Sequence, residues 1–139
     1  MTQLDKSFSK FIRLRDSKSL GPFLVIGRCC TCNKEVVVYD IATGYNANAH
    51  CGHYVARTHQ STRHNEKNAH LQCAECNIIG LGNPKEMSAY IDKKYGPGTA
   101  ESLVIESKKL TKLFPYEIKE LQSFYRKKVK ELEKDLGIC

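Results

Sequence analysis

Cysteine and histidine crowd into the middle of this 139-residue chain: all five histidines (His50, His53, His59, His64, His70) and six of the seven cysteines lie between residues 29 and 82. Cys29 and Cys32 form one C-x-x-C, Cys73 and Cys76 form a second, and forty residues separate the pairs. Two thiolates three positions apart on a tight turn can reach one tetrahedral ion at about 2.3 Å, and two such turns close its shell with sulfur. A closed sulfur shell leaves no position for water, so the chemistry expected of it is structural zinc binding that supplies part of the folding free energy. Cys30 offers an alternative to Cys29, although the Cys29 spacing matches the second pair better; Cys51 and Cys139 have no partner by spacing and are expected to be free thiols. An odd cysteine count in two close pairs suits metal ligation in a reducing cytoplasm better than a disulfide framework.

The elements that must position these residues follow from apolar spacing. Leu4, Phe8, Phe11, Ile12 and Leu14 recur at helical intervals, with Lys6, Lys10, Arg13 and Arg15 largely on other faces, which predicts a short basic helix ending before Gly21-Pro22. Phe23 to Ile26 and Val36 to Tyr39 predict two strands flanking the first cysteine turn. From Gly44 to Asn68 polar residues dominate, so a loop is expected apart from a strand around His53-Tyr54-Val55; Ala69 to Cys73 predicts another strand, with a helix starting between Ala74 and Asn77. Helices are expected over residues 85–94, residues 100–110 and from Pro115 onward. In the last, Ile118, Leu121, Tyr125, Val129, Leu132 and Leu136 form an apolar stripe, with Lys119, Arg126, Lys127, Lys130 and Lys134 on the polar side. The chain thus divides into a basic N-terminal helix (1–20), a zinc-bound core (21–82) and a helical extension (83–139) within one compact domain.

The net charge of +7 favours an anionic partner, and its distribution places the excess at the ends: residues 1–28 carry +4, residues 29–82 are neutral and residues 83–139 carry +3. Nucleic acid is the partner this predicts. No apolar run approaches the roughly 20 residues a membrane helix needs, and residues 1–6 lack a secretory leader, so no membrane partner and a cytoplasmic location are expected.

Asn68 lies five residues before Cys73, and Asn77 directly follows Cys76. Gly52-His53-Tyr54-Val55, followed by the run from Asn68 through His70, Cys73 and Cys76 to Asn77, resembles an HNH nuclease motif with asparagine in the final histidine position. More narrowly, the chain resembles the NinG/Rap recombination endonucleases of tailed bacteriophages, also through Leu4 to Asp16, Thr62-Arg63 and Tyr90 through Tyr95-Gly96. The resemblance spans most of the chain. It implies an α+β fold with a small zinc-stabilised ββα-metal core, in the cytoplasm of a bacterial host, and cutting of branched DNA such as Holliday junctions or flaps.

Phosphodiester hydrolysis needs a base for the attacking water, a divalent ion for the phosphate charge and a group that orients the base. By analogy His53 is the base, Asn68 orients it or braces the loop, and Asn77 ligates Mg2+ or Mn2+, hard ions that prefer oxygen. HNH motifs commonly place an acidic ligand before the base, where this chain has Gly52. Candidates for the second ligand are His50, His64, Glu66 and His70, with the expectation falling on His70 and Glu66 because they lie near the second strand of the motif. Arg13, Arg15, Arg57 and Arg63 are the expected phosphate contacts. The last helix either packs on the core or pairs with a second copy, and a homodimer would set two active sites at a four-way branch. Two other readings share the scaffold: a zinc-dependent DNA-binding accessory protein that does not cut, and a sequence-specific HNH nuclease, against which stands the lack of a helix-turn-helix.

Overall fold

The computed structural model describes residues 1–138, so Cys139 lies outside the described residues. Helix α1 (Gln3–Arg15) opens with a capping box: the Thr2 hydroxyl accepts from the Asp5 N–H while the Asp5 carboxylate accepts from the Thr2 N–H. Its buried face carries Leu4, Phe8, Phe11, Ile12 and Leu14, the stripe expected from their spacing. Phe8, Ile12 and Leu14 are almost completely sequestered from water, which contributes roughly 1.5–3 kcal/mol per side chain.

Strands β1 (Ser17–Ser19), β2 (Leu24–Arg28), β3 (Glu35–Asp40) and β4 (Gly44–Tyr45) form an antiparallel sheet in sequence order, with an irregularity between Val25 and Ile26. The turn between β2 and β3 holds the first cysteine pair. A separate antiparallel pair joins β5 (Ala49–His53) to β6 (Ala69–Cys73), setting His53 opposite Ala69, Gly52 opposite His70 and Ala49 opposite Cys73. The connection between them carries the short helix α2 (Gln60–Arg63). After β6 the chain enters a π-helical turn, Glu75–Ile79, then α3 (Pro84–Tyr95), α4 (Thr99–Ser107) and α5 (Pro115–Asp135).

One core unites α1, the inner faces of both sheets and α5, whose Tyr125 and Val129 are buried against it. Tyr125 packs edge-on to Phe8 at 5.1 Å between ring centroids. Leu121, Leu132 and Leu136 are partly buried on this core, whereas Ile118 at the start of the stripe is exposed. A smaller cluster joins Val55 to Met87 and Ile91 of α3 and to Ala100 and Leu103 of α4.

The molecule is α+β, as expected, with three local departures. The strand predicted around His53-Tyr54-Val55 instead occupies Ala49–His53. Its pairing is specified by the backbone ladder to β6, which a polar, glycine-containing sequence does not advertise. Helix α4 ends at Ser107, leaving Leu110 fully exposed rather than helical. The strands β1 and β4 and the helix α2 are too short to leave a periodic signal. Among the described residues no helix is long and apolar enough to cross a membrane.

Candidate functional site

The Sγ atoms of Cys29, Cys32, Cys73 and Cys76 all lie within 4.8 Å of one another. A tetrahedron with Zn–S bonds of about 2.3 Å has edges of about 3.8 Å, and Cys32 Sγ stands 3.8 Å from Cys73 Sγ. The donor set and its spacing therefore fit a zinc ion. Burial raises the Cys29 thiol, but hydrogen bonds from Thr31 and neighbouring backbone N–H groups outweigh it and bring Cys29 down to about 6. Although Thr31 favours the Cys76 thiolate, burial and the adjacent cysteines push Cys76 up to about 12. Four thiolates crowd one another unless a dication sits among them. Cys30 is outside the cluster, with its thiol 3.4 Å from the Met87 sulfur and driven upward by burial. Bound there, zinc would tie the β2–β3 turn to the end of β6 and to the π-helical turn.

That π-helical turn presents Asn77 to a cleft also lined by His53, Arg57, Asp5 and Phe8. His53, the last residue of β5, has Nε2 3.0 Å from the Arg63 carbonyl oxygen. A carbonyl only accepts, so Nε2 carries the proton and Nδ1 keeps its lone pair. Burial lowers His53 to about 4 against the opposing pull of that carbonyl, with Arg57 and His64 adding to the decrease. The ring is therefore neutral at pH 7, the state a base requires.

Arg63, which supplies the carbonyl, is itself held: its Nε donates to Asp5 at 2.9 Å and its Nη2 to the other carboxylate oxygen. His64 Nε2 lies 2.9 Å from the same carboxylate. Burial alone would raise Asp5; hydrogen bonds from Arg63, Thr2 and His64 hold it well below the ordinary carboxylate range. Asn68 is fully buried, accepting from the Val55 N–H at 2.8 Å and donating to the Val55 and Thr62 carbonyls at 3.0 and 3.1 Å. Its contacts brace the β5–β6 connection, and none reaches the His53 ring.

The expected second ion ligands do not join Asn77. His70 is fully buried between the Tyr90 and Tyr95 rings, with Nδ1 3.0 Å from Arg15 Nη2 and Nε2 3.0 Å from the Lys67 carbonyl, so both ring nitrogens are engaged. It pairs with Gly52 whereas His53 pairs with Ala69, and alternation along a strand sends neighbouring side chains to opposite faces. Glu66 accepts a hydrogen bond from the Tyr125 hydroxyl at 3.0 Å and faces α5. The residue that meets Asn77 is His50, with Nδ1 2.9 Å from Asn77 Nδ2. Gly52 has no room for the acid of other HNH motifs: a Cβ there would stand 2.1 Å from Gln72 Oε1. Gln72 is held in place by Thr31 and the Gly82 carbonyl.

Of the four arginines expected at phosphates, Arg57 is exposed and lines the cleft. The other three have internal partners. Arg13 donates to the Ser9 carbonyl at 3.2 Å, Arg15 to the Glu66 and Ala69 carbonyls at 2.7 and 2.8 Å, and Arg63 to Asp5. Asp5 went unnoticed as a site residue, although the Thr2-x-x-Asp5 spacing signals its cap.

No curated protein sequence and no solved structure matches the chain. A family model described as bacteriophage lambda NinG protein matches residues 1–135. With that match running almost end to end over a chain whose four cysteines converge, the protein belongs to the NinG family.

Proposed function

We propose that this chain is a metal-dependent DNA endonuclease of the HNH, ββα-metal type that cuts branched recombination intermediates by phosphodiester hydrolysis, with zinc purely structural. The observation that carries the reading is the His53 ring: neutral, held through Nε2 by a backbone carbonyl, and sharing a cleft with an asparagine amide and an exposed arginine. Membership of the NinG family supports a recombination-related role in a phage.

In this reading His53 Nδ1 takes a proton from the water that attacks phosphorus, as the new P–O bond forms and the bond to the leaving oxygen breaks. Arg57 contacts a phosphate oxygen. Asn77 donates from its amide nitrogen to His50 Nδ1, which leaves Asn77 Oδ1 as the oxygen that would hold a divalent ion; the His50 lone pair is taken by that bond, so His50 orients the amide. Magnesium or manganese held there would supply charge stabilisation on the phosphate and leaving group. Asn77 is uncharged and alone, so phosphate oxygens of the DNA would have to complete the donor set. Among the described residues Asp5 is the one carboxylate lining the cleft, and its oxygens are committed to Thr2, Arg63 and His64. That absence of a free carboxylate is what favours the second reading, a zinc-dependent DNA-binding accessory protein that does not cut.

The deciding experiment incubates the protein with labelled four-way junction, flap, single-stranded and linear duplex DNA in magnesium, manganese or EDTA, beside His53→Ala and Asn77→Ala. Ion-dependent cleavage of branched DNA that both variants lose supports the nuclease. Binding with no cleavage under any ion leaves the accessory protein.

A further inference from the structure

Helix α5 (Pro115–Asp135) is amphipathic twice over. Its apolar stripe docks on the core, and its solvent side is divided by charge sign. At 3.6 residues per turn, Lys119, Arg126, Lys127, Lys130 and Lys134 fall within a sector of about 100° that also holds Tyr116 and Ser123 and contains no carboxylate. All five cations are exposed. Glu117, Glu120, Glu131 and Asp135 gather in the adjoining sector, and Glu133 on the opposite flank is taken by Tyr45 and Lys10. Among the described residues, the α5 cation with an ion-pair partner is Lys128, which borders the acidic sector and meets Glu131.

Such segregation works against the isolated helix. Arg126, Lys130 and Lys134 follow one another at i, i+4, where like charges repel, while carboxylates that could have alternated with them are grouped elsewhere. Five cations without an ion-pair partner among the described residues, over about 22 Å of helix, are matched by a polyanion of regular charge spacing, and a DNA backbone is one. We propose that this face of α5 is a second DNA-contact surface, which grips the phosphate backbone of a duplex arm without reading its sequence. It rests on the DNA reading of the chain but not on cleavage at His53. The expected phosphate contacts Arg13, Arg15 and Arg63 are occupied internally, so the cleft itself offers little charge for holding DNA.

The test compares two matched triple variants by fluorescence anisotropy on labelled duplex and four-way junction in EDTA across a salt series. One is Arg126→Gln, Lys130→Gln and Lys134→Gln. The control is Lys34→Gln, Lys109→Gln and Lys128→Gln, which removes the same charge from lysines already paired with Glu75, Glu106 and Glu131. The stripe variant should lose affinity on the order of 100-fold at about 0.1 M salt, with a slope of log K against log salt shallower by about 2.7; the control should keep both. Circular dichroism melts establish that both variants are folded. Equal losses in the two triples, or no loss in either while the parent binds, overturn the proposal and leave the cleavage reading standing. Stripe-dependent binding by a protein that cuts nothing under any ion sustains the proposal and removes the nuclease.

Discussion

Replacing Asp5 by alanine removes the acceptor that joins the N-cap of α1 to the Arg63-His64 segment. Its carboxylate takes hydrogen bonds from the Thr2 N–H and hydroxyl, from Arg63 Nε and Nη2, and from His64 Nε2. Hydrogen bonds to a charged group are worth roughly 1.5–3 kcal/mol each in isolation, but they do not add. Thr2 and Arg63 reach water once released, the Arg63 side chain being already 25% exposed, so their shares are small. His64 has no such outlet: its other ring nitrogen is buried without a partner, and losing Asp5 strands the whole ring. A net destabilisation of about 3 kcal/mol follows, or a fall in Tm of about 10 °C for a chain of this size. Urea unfolding at a fixed zinc concentration measures it. Asp5→Asn discriminates the cause: it restores the volume but turns an amide donor toward Arg63 or His64, so it should remain within about 1 kcal/mol of alanine. Recovery of most of the stability in Asp5→Asn, or a loss below about 1 kcal/mol in Asp5→Ala, would refute the charge-assisted network and reduce Asp5 to a packing residue.

Three further outcomes are expected. Cys76→Ser should lower bound zinc and destabilise the fold by at least several kcal/mol, while Cys30→Ser keeps one zinc per chain; metal release assays and thermal melts report both. Because burial brings His53 down to about 4, the base stays unprotonated as pH falls through 6.5, so kcat/KM for cleavage should hold there and decline only toward pH 4. An acid limb at or above 6.5 counts against the assignment, and His53→Ala should cost 10²- to 10⁴-fold in rate. His70→Ala should destabilise by about 3 kcal/mol through a cavity and lost bonds to Arg15 and the Lys67 carbonyl. Its zinc content and the manganese dependence of any cleavage should be unchanged, since both ring nitrogens serve the core.

Much of this was legible because the signals were local. The cysteine pairs named their own cluster through spacing, and the apolar intervals of α1 and α5 located both helices and their buried faces. Cys29 prevailed over Cys30 for the reason spacing suggested. What failed depended on side-chain direction. Nearness to the motif favoured His70 and Glu66 as ligands, but strand alternation turns His70 into the core and Glu66 meets Tyr125 on α5. His50 stands beside Asn77 because the π-helical turn after β6 brings the amide back toward β5, and one extra residue in a helical turn leaves no compositional mark. Arginines behave alike in a sequence whether they face water or carbonyl oxygens, so Arg13, Arg15 and Arg63 could not be separated from Arg57 until their partners were in view.

The cysteine cluster also governs how freely the chain can change in length. Forty residues run between Cys32 and Cys73, and with zinc in place both ends of that stretch are pinned. Closing a longer stretch costs only (3/2)RT times the logarithm of the length ratio, so an insert of about twenty residues adds about 0.4 kcal/mol. The exposed Ile41-Ala42-Thr43 bend between β3 and β4 is where such an insert disturbs least. Insertions or an affinity tag can enter there, whereas one residue added between Cys73 and Cys76 would misplace a zinc ligand and Asn77 together.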